Sequence, residues 1–247
     1  MPEGKSTVRA ADRALDILLC FIEEKELTLT EISHRVGLNK STVYRLLASL
    51  EGRGFLARHQ DTEKYRLGFR IWELSANLIQ EDDPATILLP EMIRLRDQIE
   101  ETISLYVRSG NDRVRVQAVE STQTIRRVAP IGVRLPLYVG ASSKVLVAYA
   151  DNETVDSILS DPDWPESIER TAYLQQLEEI RHKGYAISVG EREEGAAAVS
   201  VPLFNRRGQL VAALSVSGPS NRFTMEQMEE IAPRVIEAGK RLGKMLK

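Results

Sequence analysis

The stretch TLTEISHRVGLNKSTVYRLLASL, residues 28–50, decides how the rest of the chain is read. Thr28 and Glu31 stand at the spacing of a capping box, in which each side chain satisfies an amide left open by the first turn of a helix. A short helix is therefore expected from about Leu29 to Val36. Gly37 ends it, because an abrupt exit needs the left-handed backbone that glycine adopts without steric cost. Asn39-Lys40-Ser41-Thr42 then opens another helix. Its Val43, Leu46, Leu47 and Leu50 fall at i, i+3, i+4 and i+7, one buried stripe. The opposite side holds Lys40, Ser41, Thr42, Tyr44, Arg45 and Ser49, with no acid and several side chains that reach phosphates or base edges. Two helices around a glycine turn, the second polar and basic on its free side, make the helix-turn-helix arrangement. Its second helix enters the major groove by its N-terminal end.

Working outward, Val8, Ala11, Leu15, Leu18, Leu19 and Ile22 recur at helical spacing. They predict a first helix of about 15 residues with these side chains as its buried stripe. After Gly52-Arg53-Gly54, residues 55–59 and 64–67 read as two short strands around the turn Gln60-Asp61-Thr62-Glu63. A basic hairpin after a recognition helix is a wing, and Arg58, Lys64 and Arg66 are its candidate phosphate contacts. Each phosphate so neutralised adds about −0.9 to the log–log salt slope. Charge follows the same boundaries. The chain carries a net charge of −3, yet from Arg35 to Arg70 eight Lys and Arg stand against three Asp and Glu. A basic window embedded in an acidic protein fits double-stranded operator DNA as partner. The alternative is a scaffold that binds an effector or makes protein contacts, with no direct DNA readout.

Length and composition exclude other classes. The 247 residues fit one large or two modest domains, and 43% hydrophobic with 28% charged residues is ordinary globular usage. No apolar run approaches the roughly 18 residues of a membrane span, so no membrane partner is expected. The segment Met1–Thr7 has no apolar core of a secretory signal. A single cysteine, Cys20, forms no intrachain disulfide and fits a reducing compartment, so the expected location is cytoplasmic. One Cys and three His argue against a zinc site of Cys/His type. The chain lacks a Walker A run and a G-x-G-x-x-G. Ser142, Ser143 and Lys144 are adjacent and do not face one another on a helix, which disfavours a Ser–Lys nucleophile. A protein that is not an enzyme, with no metal and no cofactor, is expected.

The stretches Arg13-Ala14-Leu15-Asp16-Ile17-Leu18, Leu29–Ile32, Gly37-Leu38, Ser41–Leu50, Gly54-Phe55-Leu56 and Tyr65–Gly68, taken in order, resemble the IclR family of bacterial transcriptional regulators. The resemblance continues through Leu135-Pro136-Leu137, Ala141–Lys144, Gly184-Tyr185-Ala186, Gly190–Glu193, Val201-Pro202-Leu203 and Ser215–Pro219. It implies an α+β chain: an N-terminal winged helix-turn-helix over residues 1–68, a linker helix over 69–83, and a C-terminal GAF-like mixed α/β effector-binding domain over 84–247. It also implies a repressor-type regulator controlled by a small organic-acid effector, and homodimers that often pair into tetramers.

The linker pattern runs from Gly68 to Ile79 and ends at the acidic turn Gln80–Pro84. Phe69, Trp72, Leu78 and Ile79 are more apolar than a free linker needs; they fit packing on the chain's own first helix, a subunit contact, or both. Beyond it, residues 85–101 predict a helix kinked at Pro90. Strands are expected at 103–108, 114–120, 126–128, 186–189, 198–204 and 209–217. Helices are expected from near Ser142, over 151–159 and 172–183, and from Thr224 to about Lys247.

Gly140–Lys144 lies where a helix starts, and its open amides and positive dipole end favour an anion. Ser215 and Ser217 alternate on a strand and project to one face. Effector-binding candidates are Tyr138, Ala141, Ser142, Ser143, Ser188, Ala198, Ser215 and Ser217, with Leu135 and Ile187 as further apolar walls. The resemblance places small-acid ligands at these positions. Relatives that bind small acids have an acidic residue where this chain has Ser188, a Cys where it has Ala198 and commonly Gly where it has Ser143. Those departures disfavour the smallest keto acids. The loop Gly190–Gly195 reads either as a lid over the pocket or as a solvated charged turn.

Overall fold

The capping box at Thr28 forms in the computed structural model, which describes residues 7–22, 24–76, 83–126 and 130–246. The Thr28 amide donates to the Glu31 carboxylate at 2.7 Å and the Glu31 amide donates to the Thr28 hydroxyl at 3.3 Å. The bond from the Thr28 backbone holds the Glu31 carboxyl below its ordinary range. Contacts divide the chain into two units, Met1–Gln80 and Glu81–Lys247. In the first, α1 spans Arg9–Leu19, α2 Leu29–Arg35 and α3 Lys40–Gly52; β1 (Leu56–Arg58) and β2 (Tyr65–Leu67) follow, then α4, Phe69–Ala76. Gly37 takes φ +63° between α2 and α3. Asn39 caps α3 by accepting from the Thr42 amide at 2.9 Å. Val43 and Leu47 are wholly buried in a core with Ile17, Phe21, Ile32, Leu56 and Tyr65.

Two expectations for this unit need correcting. Helix α1 is shorter than expected, and its buried side is Ile17 with Phe21 just beyond. Val8, Leu15, Leu19 and Ile22 are exposed instead. The helix is apolar on two sides: Ala14, Ile17, Leu18 and Phe21 also repeat at i, i+3, i+4 and i+7, and that stripe meets α3. The hairpin strands are three residues each, and Leu27 adds a bridge to Tyr65 that periodicity does not announce. The Leu27 and Tyr65 backbones exchange bonds of 3.0 and 2.7 Å, tying the wing to the start of the helix-turn-helix.

In the second unit, α5 is Pro84–Ile87 and α6 Leu89–Ile99. The expected single helix breaks at Leu88, because Pro90 cannot donate an amide and sits in the first turn of a new helix. Strands β3 (Thr102–Ser109) and β4 (Asp112–Val119) form a hairpin, and β5 (Arg134–Pro136) adds an edge strand that the sequence reading did not contain. The expected strand at 126–128 finds Arg126 outside any strand, and residues 127–128 lie outside the described residues. Then come α7 (Ala141–Ala148), α8 (Asn152–Leu159), α9 (Arg170–Lys183), β6 (Ala186–Val189), β7 (Ala196–Phe204), β8 (Leu210–Pro219) and α10 (Met225–Gly243). The last helix ends before the expected Lys247.

The strands form an antiparallel sheet in the order β5-β4-β3-β8-β7-β6. Its two faces differ. One presents Ile103, Leu105, Val199, Val201, Leu214 and Val216 to α6 and α10, a dry aliphatic core. By strand alternation the other presents Thr102, Ser104, Ser200, Ser215 and Ser217, with Tyr106 and Ala213, toward α7. Helix α7 is buried along its whole length, and Tyr173, Leu177 and Ile180 of α9 join the core on that side of the sheet.

Gly68 is where the first unit tolerates no side chain. Its amide bonds to the Phe55 carbonyl at 2.7 Å, and a Cβ on it would fall 2.2 Å from the Gly54 oxygen. Gly68→Ala is expected to lower stability by about 1–3 kcal/mol. Gly52→Ala, at a helical position with open space around it, should be neutral or stabilising by up to about 1 kcal/mol. Thermal melts of both variants check this; equal melting temperatures would contradict the packing described.

Candidate functional site

The burial of Val43 and Leu47 turns the other side of α3 outward. Lys40, Ser41, Tyr44, Arg45 and Ser49 are exposed. The Ser41 hydroxyl donates to Asn39 at 3.0 Å and that of Ser49 to the Arg45 carbonyl at 3.1 Å, so both are held by α3's own ends and turns. Thr42 is half-buried in a groove with Arg13, Arg45 and Leu46. Among the described residues no carboxylate lies within ion-pair distance of Lys40, Arg45, Lys64 or Arg66. These cations are therefore open to an external anion.

The wing is less uniform than its composition. The pairing sets Ala57 opposite Arg66 and Arg58 opposite Tyr65, so Arg58 shares the face of Leu56 and Tyr65, and Arg66 projects from the other face. Arg58 also donates to Glu63 at 2.9 Å and lies over the Tyr65 ring. Arg66 remains exposed, whereas Lys64 is half-buried. The structure thus keeps the cations of α3 together and divides those of the hairpin.

In the second unit the start of α7 meets the hydroxyl-bearing face of the sheet around a cavity of about 50 Å³. Ala141, Ser142, Ser188, Ala198, Ser215 and Ser217 all line it, as the sequence reading expects. Ser188, Ser215 and Ser217 are 8, 4 and 8% exposed. All three are nearly closed off from bulk solvent. On this measure a water needs at least about 10–15 Å³, so the cavity as it stands has room for a small polar group.

Two expected residues lie elsewhere. Ser143 donates to the Pro136 carbonyl at 2.9 Å, one step around the helix from the cavity. Tyr138 lines a neighbouring cleft with Tyr173 and Lys144 and packs on Trp164. Leu135 and Ile187 are likewise absent from the cavity wall. The residues that sequence reasoning missed are Tyr106 and Arg113, together with the small stretch Ala196-Ala197; Gly140 is part of the expected helix start. An arginine between Asp112 and Val114 on an eight-residue strand carries no local signal of a site. Its partner across space is an α7 residue far along the chain.

The loop after β6 is tied down. Glu191 accepts from the Gly140 amide at 3.0 Å and from Lys144 Nζ at 2.6 Å, which links it to the first turns of α7. Glu191, Arg192 and Glu193 border the cavity. This geometry favours a lid over a solvated turn. Burial and the neighbouring Glu191 push the Tyr173 phenol well above its usual range, and its hydroxyl donates to the Leu137 carbonyl at 3.0 Å. Among the described residues no group of His, Cys, Asp and Glu is arranged to hold a metal ion, and no helix is long and apolar enough to cross a membrane.

Comparison with known proteins bears on both regions. Residues 10–60 match the family model of the IclR helix-turn-helix domain, and residues 76–243 that of the bacterial transcriptional regulator IclR C-terminal domain. The HTH-type transcriptional regulator KdgR of Escherichia coli (strain K12) is 35% identical, over 98% of this chain and 93% of its own. The HTH-type transcriptional repressor AllR of the same strain is 27% identical, over 92% and 86%. Among solved structures, an IclR homolog complexed with 4-hydroxybenzoate, from Microbacterium hydrocarbonoxydans, is similar at TM-score 0.81 and 26% identity, over 96% of this chain and 98% of that one.

If Glu191 is a true anchor, it and Lys144 should be energetically coupled. A double-mutant cycle of Glu191→Gln and Lys144→Met, read by denaturant unfolding, is expected to give a coupling energy of about 1–3 kcal/mol. A coupling near zero would return the loop to a solvated turn.

Proposed function

The chain belongs to the IclR family of bacterial transcriptional regulators, and on that premise we propose that it is a repressor whose hold on operator DNA is set by a small organic acid bound in the second unit. The observation that carries the DNA half is the outward face of α3, with Lys40, Ser41, Tyr44 and Arg45 exposed and neither cation in an ion pair among the described residues. Arg45 reads a base edge, and Lys40 and Arg66 contact phosphate. In this reading residues 1–68 hold DNA, 69–83 link, and 84–247 bind the effector.

The effector half is supported by the helix start of α7 facing Ser188, Ser215 and Ser217 across one cavity. Two hydroxyls and two backbone amides suit a carboxylate. The 4-hydroxybenzoate complex of a homolog adds an organic acid as the ligand of a protein with this fold.

The chain acts as a homodimer. Helices α1 and α4 leave Leu15, Leu19, Phe69 and Trp72 uncovered within their own unit, and the two rings of α4 are 69 and 61% exposed while stacked on each other at 5.2 Å. Exposed apolar patches of this kind mark contact surfaces. A second copy covers them, and a two-fold pair reads inverted half-sites. Effector binding shifts the pair between two geometries. Pairs assemble further into tetramers.

Gel shifts with promoter DNA next to the chain's own gene test the proposal, and the absence of any specific shift would sink it. Arg45→Ala is expected to weaken operator binding by about 1–3 kcal/mol; an unchanged affinity removes Arg45 from the readout. Ser217→Ala should leave DNA binding intact and blunt release by organic acids, and a normal response would reject the pocket assignment. Thermal-shift screening of organic acids identifies the effector through a raised melting temperature.

A further inference from the structure

Glu191 lies in the loop that joins β6 to β7, and the residue as a whole is exposed. Its side chain turns inward and is 28% exposed. The carboxylate is shared between two donors of one helix start: Oε2 accepts from the Gly140 amide at 3.0 Å and Oε1 from Lys144 Nζ at 2.6 Å. Lys144 is 8% exposed. A buried ammonium stripped of its counter-ion is strongly unfavourable, so Glu191 leaves only when another anion takes its place.

Space around the side chain points to such an exchange. The cavity holds about 50 Å³, whereas pockets that enclose small organic ligands run to about 300–1,000 Å³. Glu191 is on the wall of this cavity. It also lines the neighbouring cleft of about 560 Å³, with Lys144, Tyr138 and Tyr173. Its side chain stands where the two meet, and moving it outward joins them. The loop permits that movement. The Gly190 amide donates to the Ala196 carbonyl at 2.8 Å and the Ser220 amide to the Gly195 carbonyl at 2.8 Å, so both ends are held independently of Glu191. Residues 191–194 take no part in the β6–β7 ladder, and swinging them breaks none of its pairs.

The carboxylate of a ligand presents the same two oxygens as that of Glu191 and the same charge. The Gly140 amide and Lys144 pass from one to the other with every donor satisfied and the ammonium still neutralised. A neutral ligand offers no such trade. We propose that Glu191 is a built-in stand-in for the effector: the effector's carboxylate takes over the Gly140 amide and Lys144, expels the Glu191 side chain to solvent, and releases the loop 190–195. This rests on the effector reading given above and names the internal group that the acid must displace.

The test uses the full-length chain with glycolate, pyruvate, gluconate and 4-hydroxybenzoate as probes. Calorimetry compares the wild type with Glu191→Gln, which keeps the shape of the side chain and removes the competing charge. The variant is expected to bind at least one acid about tenfold more tightly than the wild type does. A residue that merely shapes or closes the pocket would give the opposite sign. Hydrogen exchange of the wild type supplies the second reading: a saturating acid should speed exchange across residues 191–194 by about tenfold, since it frees the loop. A lid that closes on its ligand would slow it. Equal or weaker acid binding by Glu191→Gln, or exchange that the acid leaves unchanged or slows, overturns the stand-in and leaves the effector reading in place. The exchange measurement decides alone if the variant does not melt cooperatively. Acids that at millimolar concentration bind neither chain overturn the effector reading itself, and the stand-in with it.

Discussion

One-sided burial of α3 governs the DNA-reading surface. Val43 and Leu47 are fixed in the core by Ile17 and Ile32, and this sets the rotation of the helix about its axis. With that rotation fixed, Lys40, Tyr44 and Arg45 have no route back into the unit and stand in solvent. Rotating α3 by half a turn would bury two cations and expose the leucines, a change that costs far more than the few kcal/mol by which a small domain is stable. The caps at Thr28 and Asn39 and the left-handed Gly37 serve the same end, since they fix where α2 stops and α3 begins. The wing follows from it too, because Tyr65 is held both by this core and by the bridge to Leu27.

The second unit solves a different problem. Its sheet is aliphatic toward α6 and α10 and rich in hydroxyls toward α7. Ser104 and Ser200 find partners inside the protein, the first with Arg115 at 2.7 Å and the second with the Leu214 carbonyl at 2.8 Å. Ser188, Ser215 and Ser217 face the cavity instead. A buried polar face would be a poor way to build stability alone. It is a good way to build a place where a small polar molecule is held and an apolar one is not. Glu191 binds the loop beside this place to the same helix start, through the Gly140 amide and Lys144.

Much of this was legible in the sequence. The helix-turn-helix was readable because its signals are local: a capping box, a glycine and a heptad of spacing lie within residues 28–50. Six of the eight effector candidates line one cavity: Ala141, Ser142, Ser215 and Ser217 were readable because a helix start and an alternating strand are also local patterns, and Ser188 and Ala198 came from the family resemblance. The rest was hidden for identifiable reasons. Helix α1 has two apolar sides, and periodicity alone does not say which one a neighbour covers. The split at Leu88 depended on where Pro90 fell within a turn. Ser143 points away from the cavity by a rotation that only the packing of α7 decides, and Tyr138, ahead of that helix, is drawn into the neighbouring cleft beside Trp164. Arg113 joins the site by reaching from β4 to Ser142 on α7, a contact no spacing rule describes. The division of Arg58 and Arg66 between two faces follows from a register that composition does not contain.

The most direct measurement is selection of bound duplexes from a random library by the full-length protein, followed by hydroxyl-radical footprinting of the enriched sequence. The account predicts an inverted repeat with two protected half-sites about one helical turn, or a multiple of it, apart. Enrichment of no common sequence, or protection that does not depend on sequence, would contradict it.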